Sequence, residues 1–339
     1  MKQLLTPGER GQVGLCALTL LFAAPALASP AAPLQKRLEA IAQQVPGKLG
    51  IAVLDLDRGT RTAVHGDVPA PMASVFKLPL AVAVLRTTQE QGIPLTVPVH
   101  VAWEERNPGW SPLAERVPKG GLDLTLDALL EAAVSESDNT AADVLLRWMK
   151  GPEAVMRVLR RLKADGLRID RSERALAEAL WGLPPPEKPE PLEGLLARME
   201  RVPKERHLES MKRFSSDPRD QASPVALVDL LSALEAGKLL DPAHTSRLLQ
   251  WMRESPTGAS QLRAGLPADV VLAHKTGQAS SLGFTVALND VGIATGNGRR
   301  LAIAVVLTDV EAPLERCQAV IAEVGRTVWN ELGSAAPPR

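Results

Sequence analysis

Strand-like patterns occupy only the two ends of this 339-residue chain, and that placement limits its fold more than any other feature. Near the start, residues 49–56 and 60–65 read as a hairpin turned at Asp57-Arg58-Gly59. Near the end, strand patterns fall at 270–275, 282–289 and 301–309, with a turn at Gly296-Asn297-Gly298. Between about 74 and 254 the apolar spacing is mainly helical, with candidates at 125–135, 140–149, 153–163, 224–236 and 242–253. Helices are also predicted at 33–44 and 312–332. Strands divided between the termini share one sheet only if the two ends meet. The expected class is therefore α+β: an antiparallel five-stranded sheet built from both chain ends, flanked by helices, with an inserted all-helical lobe.

Three short motifs follow in order: Ser74-Val75-Phe76-Lys77, Ser137-Asp138-Asn139 and Lys275-Thr276-Gly277. A serine hydroxyl is a weak nucleophile at neutral pH and needs a neighbouring base. On a helix, residues three apart share a face, so Lys77 can lie beside the Ser74 hydroxyl. The apolar run Leu78-Pro79-Leu80-Ala81-Val82-Ala83-Val84-Leu85 is helix-compatible, and Pro79 falls in the first turns, where a missing N–H does least harm. Ser74 then sits at a helix N-terminus, which favours developing negative charge. A lysine is a base only when neutral, and burial or a second cation such as Lys275 lowers its pKa. Each motif also has a plainer reading. Ser74 and Ser137-Asp138-Asn139 suit helix caps. Lys275-Thr276-Gly277 suits a strand end, with Gly277 permitting close backbone approach. An S-x-x-K alone is expected about once by chance in a chain this long; the ordered set of three is not.

These motifs match the S-x-x-K, S-D-N and K-T-G set of serine β-lactamases and penicillin-binding proteins. Over nearly all of the chain beyond residue 28, the sequence resembles a class A serine β-lactamase. Pro71-Met72-Ala73-Ser74-Val75-Phe76-Lys77 is similar to the family's nucleophile segment. Gly109-Trp110-Ser111-Pro112 resembles the segment carrying an aromatic gate residue, usually Tyr; Trp110 stands there. Ile169-Asp170-Arg171-Ser172-Glu173-Arg174-Ala175-Leu176 resembles the start of the family's Ω-loop, with Glu173 at the general-base position, and Arg219-Asp220-Gln221-Ala222-Ser223-Pro224 resembles its end. His274-Lys275-Thr276-Gly277 and Val286-Ala287-Leu288-Asn289-Asp290-Val291-Gly292 are similar to the divergent branch of the class. The resemblance implies these roles: Ser74 attacks the lactam carbonyl; Lys77, or Glu173 through a water, takes its proton. Backbone N–H groups of Ser74 and Gln278, beside Gly277, hold the oxyanion. Ser137 protonates the departing nitrogen, Asn139 holds the acyl side-chain amide, and Lys275 with Thr276 binds the substrate carboxylate. Glu173 then activates the hydrolytic water. Arg171 and Asp220 stand where the family has a salt bridge at the neck of the loop.

Two departures stand out. Family members usually carry Asn four residues after the Glu; here that position is Ala177. The stretch from Arg171 to Asp220 is also much longer than the family's loop, with an insertion at about 178–215. Pro184-Pro185-Pro186-Glu187-Lys188-Pro189-Glu190-Pro191 reads as a stiff spacer. Residues 192–214 read as an amphipathic helical stretch broken near Pro203. Leu195, Leu196, Met199, Leu208 and Met211 form its apolar stripe, expected to pack on the body rather than act as a lid.

The expected organisation is a secretory signal at 1–28 and a catalytic domain at 29–339. Its α/β lobe covers about 29–69 and 256–339, and its helical lobe about 70–255. The leader carries Lys2 and Arg10, an apolar run too short to span a membrane, and Ala26-Leu27-Ala28 before the cut. A secreted, periplasmic monomer is expected, with a small-molecule β-lactam substrate. Cleavage would leave Cys317 without an internal disulfide partner. Lys+Arg and Asp+Glu are both 39, which gives no footprint for a nucleic-acid partner. No metal and no cofactor is expected: neither H-x-H-x-D nor H-E-x-x-H occurs. No G-x-S-x-G elbow accompanies the five histidines, and His274 reads as structural. The total absence of Tyr excludes relatives that use a Tyr in the second motif. The alternatives kept open are a peptidoglycan D-alanyl-D-alanine carboxypeptidase or transpeptidase, and a β-lactam-binding sensor or inactive relative.

Overall fold

The structure, a computed structural model, describes residues 31–188 and 190–333. The leader read at 1–28 lies outside the described residues. The chain begins with α1 (Ala31–Ala42), β1 (Lys48–Asp55), β2 (Arg61–Val64) and β3 (Ala70–Pro71). Then follow α2 (Lys77–Gln91), β4 (Pro98–Val101), β5 (Leu122–Thr125), α3 (Leu126–Val134), α4 (Asn139–Trp148) and α5 (Pro152–Arg161). The stretch between Arg171 and Asp220 holds α6 (Glu173–Leu180), then α7 (Leu192–Glu200) and α8 (Lys204–Ser215) in the insertion. After it come β6 (Gln221–Ala222), α9 (Pro224–Glu235), α10 (Pro242–Arg253), α11 (Leu262–Gly265), β7 (Val271–Ser281), β8 (Phe284–Gly296), β9 (Arg299–Glu311) and α12 (Leu314–Val328).

The main sheet is antiparallel in the order β2-β1-β9-β8-β7, so the first strand of the chain and the last lie side by side. Lys48 pairs with Thr308 and Asp55 with Leu301. Side chains on β9 alternate between two cores, as the period of two requires. Leu301, Ile303, Val305 and Leu307 meet Leu34 and Leu38 of α1 and Val324 of α12. Ala302, Ala304 and Val306 face the larger core with Leu227 and Leu231 of α9. That core continues into the helices around α2, whose residues from Lys77 to Leu85 are all buried. The predicted turn forms where Asn297 (φ +50°) and Gly298 (φ +69°) join β8 to β9.

Two expectations change. β7 runs on to Ser281, because β8 pairs with it along its length, so the Lys-Thr-Gly motif is interior to a strand rather than at its end. The segment after Ser172 forms a helix, α6, which is not among the candidates: Ser172 Oγ accepts the Ala175 N–H at 3.2 Å and caps it. The insertion breaks at Pro203 as predicted, but Leu196 is 40 % exposed. One step along a helix turns about 100°, so Leu195 and Leu196 cannot share one face. His207 and Phe214 join Leu195, Met199 and Met211 on the buried side instead.

The two ends of the 170–220 segment are clasped. Arg171 Nε donates to Asp220 Oδ2 at 2.5 Å, with both side chains buried. Asp220 Oδ1 also accepts the N–H groups of Asp170 (2.7 Å) and Arg171 (3.0 Å), while its carbonyl accepts the Met72 N–H at 3.0 Å. The clasp therefore reaches the turn that carries Ser74. Asp220→Asn would leave Arg171 buried with only Asp217, at 3.2 Å, as a carboxylate partner. The expected loss is about 3 kcal/mol, the lower end for one broken side of a buried pair. Denaturant unfolding checks this; a loss under ~1 kcal/mol would mean a solvated pair instead.

Candidate active site

The 3₁₀ turn Ala73–Phe76 runs straight into α2 and sets Ser74 over Lys77. Lys77 Nζ donates to Ser74 Oγ at 3.0 Å, the contact that the three-residue spacing implies. Ala73 (φ +44°) and Ser137 (φ +63°) both adopt the left-handed region, which costs energy for a residue with a side chain. Their surroundings hold them there. Asn289 Nδ2 on β8 donates to the carbonyls of Pro71 and Met72 at 2.9 Å each. Asp138 caps α4 by accepting the Ala141 N–H (2.8 Å), and also accepts the Leu113 N–H (2.7 Å) and the Ser111 hydroxyl (2.9 Å).

The buried amine of Lys77 meets four oxygens. Besides Ser74 Oγ these are the Ser137 carbonyl (2.7 Å), Asn139 Oδ1 (2.5 Å) and Glu173 Oε1 (2.8 Å). The Ser74 hydroxyl in turn donates to Glu173 Oε1 at 3.3 Å. Two groups able to take its proton are thus within reach of one hydroxyl. On the far side, Lys275 Nζ donates to Ser137 Oγ at 2.7 Å and to the Thr276 carbonyl at 2.9 Å. Burial, and then the charge of Lys77, hold the Lys275 amine well below its usual range. An amine so placed gives up a proton more readily, and Ser137 is the group it would give it to.

A cavity of about 840 Å³ opens in front of Ser74. Of the catalytic and substrate-binding residues expected from sequence, Ser74, Trp110, Ser137, Asn139, Glu173, Thr276 and Gln278 line it. Lys77 and Lys275 are fully buried behind its wall. Thr276, not the Lys275 amine, therefore faces the space where a substrate carboxylate was expected. A side chain at Gly277 would come within 2.6 Å of the Met72 carbonyl and 3.1 Å of the Ser74 nitrogen, so β7 passes this turn only with glycine there. Trp110 stands 67 % exposed at the mouth, pinned by its indole N–H to the Glu136 carbonyl at 2.8 Å. His274 pairs with Asp290 at 2.7 Å beneath the strand. Among the described residues no cluster of His, Cys, Asp or Glu fits a metal ion.

One participant was missed. Asp143 lies four residues past Asn139, on the same face of α4, and accepts the N–H groups of Glu173 (2.6 Å) and Arg174 (3.0 Å) as well as Asn107 Nδ2 (3.1 Å). It completes the capping of α6 and fixes Glu173 at the cavity. The spacing from the second motif was its only sequence signal. Burial, then the negative charge of Glu173, push the Asp143 carboxyl up to about 7 from 3.8. The folded chain thus holds this proton more tightly than the unfolded chain. The resulting stability is full below about pH 4 and is lost as pH rises to about 7. In thermal melts, wild type should lose ground to Asp143→Asn between those pH values; parallel curves would refute the shift.

Comparisons with known proteins agree with the geometry. A family model described as the β-lactamase enzyme family matches residues 33–332. The β-lactamase CTX-M-25 of Escherichia coli is 28 % identical, the match covering 92 % of this chain and 94 % of that one. A β-lactamase of Streptomyces fradiae is 32 % identical, over 91 % of this chain and 90 % of its own. Among solved structures, a β-lactamase from Chitinophaga pinensis superposes with a TM-score of 0.74 at 32 % identity, covering 88 % of this chain and 98 % of that one.

Proposed function

Because the chain belongs to the β-lactamase enzyme family, as a class A serine β-lactamase that hydrolyses β-lactams through an acyl-enzyme, we propose how its own residues divide that work. Ser74 Oγ attacks the lactam carbonyl and gives its proton to Lys77, or to Glu173 through a water; which one serves is disputed for such sites. The new oxyanion lies against the backbone N–H groups of Ser74 and Gln278. As the C–N bond breaks, Ser137 protonates the nitrogen and is resupplied from Lys275. Asn139 and Thr276 hold the acyl amide and the carboxylate, and Trp110 closes the mouth. The proton taken from Ser74 passes back to Lys275, which leaves Glu173 ionised. Glu173 then takes a proton from water, the hydroxide attacks the acyl carbon, the Ser74 oxygen leaves with the proton that Glu173 holds, and the ring-opened acid departs.

The 3.3 Å contact between Glu173 and Ser74 carries this reading. A carboxylate at that distance is what separates a hydrolase from a transpeptidase or sensor that acylates and stalls. Sustained turnover of nitrocefin by the purified protein supports it; one equivalent of product followed by a stable adduct would favour the sensor. We read 170–220 as the Ω-loop, 1–28 as a secretory leader and the protein as a monomer of two lobes, about 29–69 with 256–339 and about 70–255. Among the described residues no helix is long and apolar enough to cross a membrane.

A further inference from the structure

The cavity does not end at Glu173. Along α6, Glu173, Ala177, Leu180 and Trp181 all line it. They fall at i, i+4, i+7 and i+8, one stripe of a helix, which carries the lining about 12 Å past the carboxylate at 1.5 Å per residue. Facing that stripe are Met199 and Met211 of the insertion. At the far end His207 stacks on Trp181, ring centroids 3.9 Å apart and nearly parallel at 14°. Neither nitrogen of this buried imidazole has a side-chain partner, and burial lowers its pKa more than its contact with the Leu180 backbone raises it. The annex thus presents thioethers, leucines, a phenyl ring and the stacked ring pair. Among the described residues its one charged group from the insertion is the Glu200 carboxylate, which disfavours an anionic side chain. Ion pairs link this insertion to its surroundings: Arg106 with Glu193 at 2.5 Å, Arg198 with Glu190, and Lys212 with Glu311 at 2.5 Å.

We propose that this annex takes the acyl side chain of the β-lactam, selecting a large neutral aryl group, with Ala177 as the open passage and Leu180 and Trp181 as specificity-determining residues. The inference rests on the reading that this site hydrolyses β-lactams. About 840 Å³ is near the upper end of ordinary ligand pockets, roughly 300–1,000 Å³, and exceeds what a bare bicyclic nucleus fills. An Asn at 177 would stand in the passage; an alanine methyl leaves it clear. The annex offers no cation to a charged side chain and buries apolar surface instead, so a flat aryl group gains most from it.

The test uses two penicillins on the same 6-aminopenicillanic nucleus, one acetyl and one naphthoyl. In wild type, kcat/KM should favour the naphthoyl compound. Leu180→Trp, which fills the annex, and Trp181→Ala, which removes the stacked ring, should each lower the naphthoyl-to-acetyl ratio of kcat/KM about 10- to 100-fold. Melting temperatures report folding, and using a ratio cancels any loss of active protein. If both compounds are turned over and neither variant moves the ratio, the annex proposal fails alone. If neither compound is turned over by wild type, the hydrolase reading fails and takes the proposal with it.

Discussion

Ser74→Ala should abolish turnover, with kcat/KM falling by roughly 10⁴-fold or more, and should leave no covalent label after incubation with a fluorescent penicillin. The hydroxyl is the atom on which the whole web converges: Lys77 at 3.0 Å and Glu173 at 3.3 Å. Removing it orphans nothing. Lys77 keeps the Ser137 carbonyl, Asn139 and Glu173 as acceptors, so the variant should fold and melt near wild type. Loss of activity would therefore report on chemistry and not on collapse of the site. Full labelling of the variant would place the nucleophile elsewhere.

Glu173→Gln should divide the reaction in two. Acylation should persist, because Lys77 still reaches Ser74, and a glutamine carbonyl still satisfies the Lys77 amine. Release should slow by about 10²- to 10⁴-fold, the usual worth of a positioned general base. The covalent adduct then accumulates and appears in intact-mass spectra at the mass of protein plus substrate. Ala177 bears on the same step, since a methyl cannot orient the attacking water as an amide would. For a substrate with a small acyl side chain, such as the acetyl compound, Ala177→Asn should speed release or leave it unchanged. If Glu173→Gln turns over at the wild-type rate, Glu173 is a bystander and the correspondence of the loop is misplaced.

Much of this arrangement was legible before any coordinates. The main-sheet strands showed because alternation at 49–56 and 301–309 survives even where β9 is buried on both faces. The pairing of Ser74 with Lys77 followed from helical spacing alone. What escaped depends on neighbours far away in sequence. Asp143 looks like any polar helix residue until α6 sets its first N–H groups on it. The helix itself, with eight residues, is too short to announce itself by periodicity. The length of β7 was hidden because Ser280 and Ser281 carry no strand pattern and are extended only by pairing with β8. Lys275 reads as a cationic hand for a carboxylate, and only its complete burial turns it toward Ser137.

The pairing of β1 with β9 has a consequence for how the protein is made. Residue 48 cannot find residue 308 until almost the whole polypeptide has left the ribosome. Until then β1 and β2 have only each other to pair with, a marginal two-stranded ribbon whose open edges can pair with strangers, and the large loop to be closed makes assembly slow. The strand bearing Lys275 also comes late, at residues 271–281. An early stop, or a cut ahead of residue 299, therefore yields not a weaker enzyme but none at all, and a nascent chain needs protection over most of its synthesis.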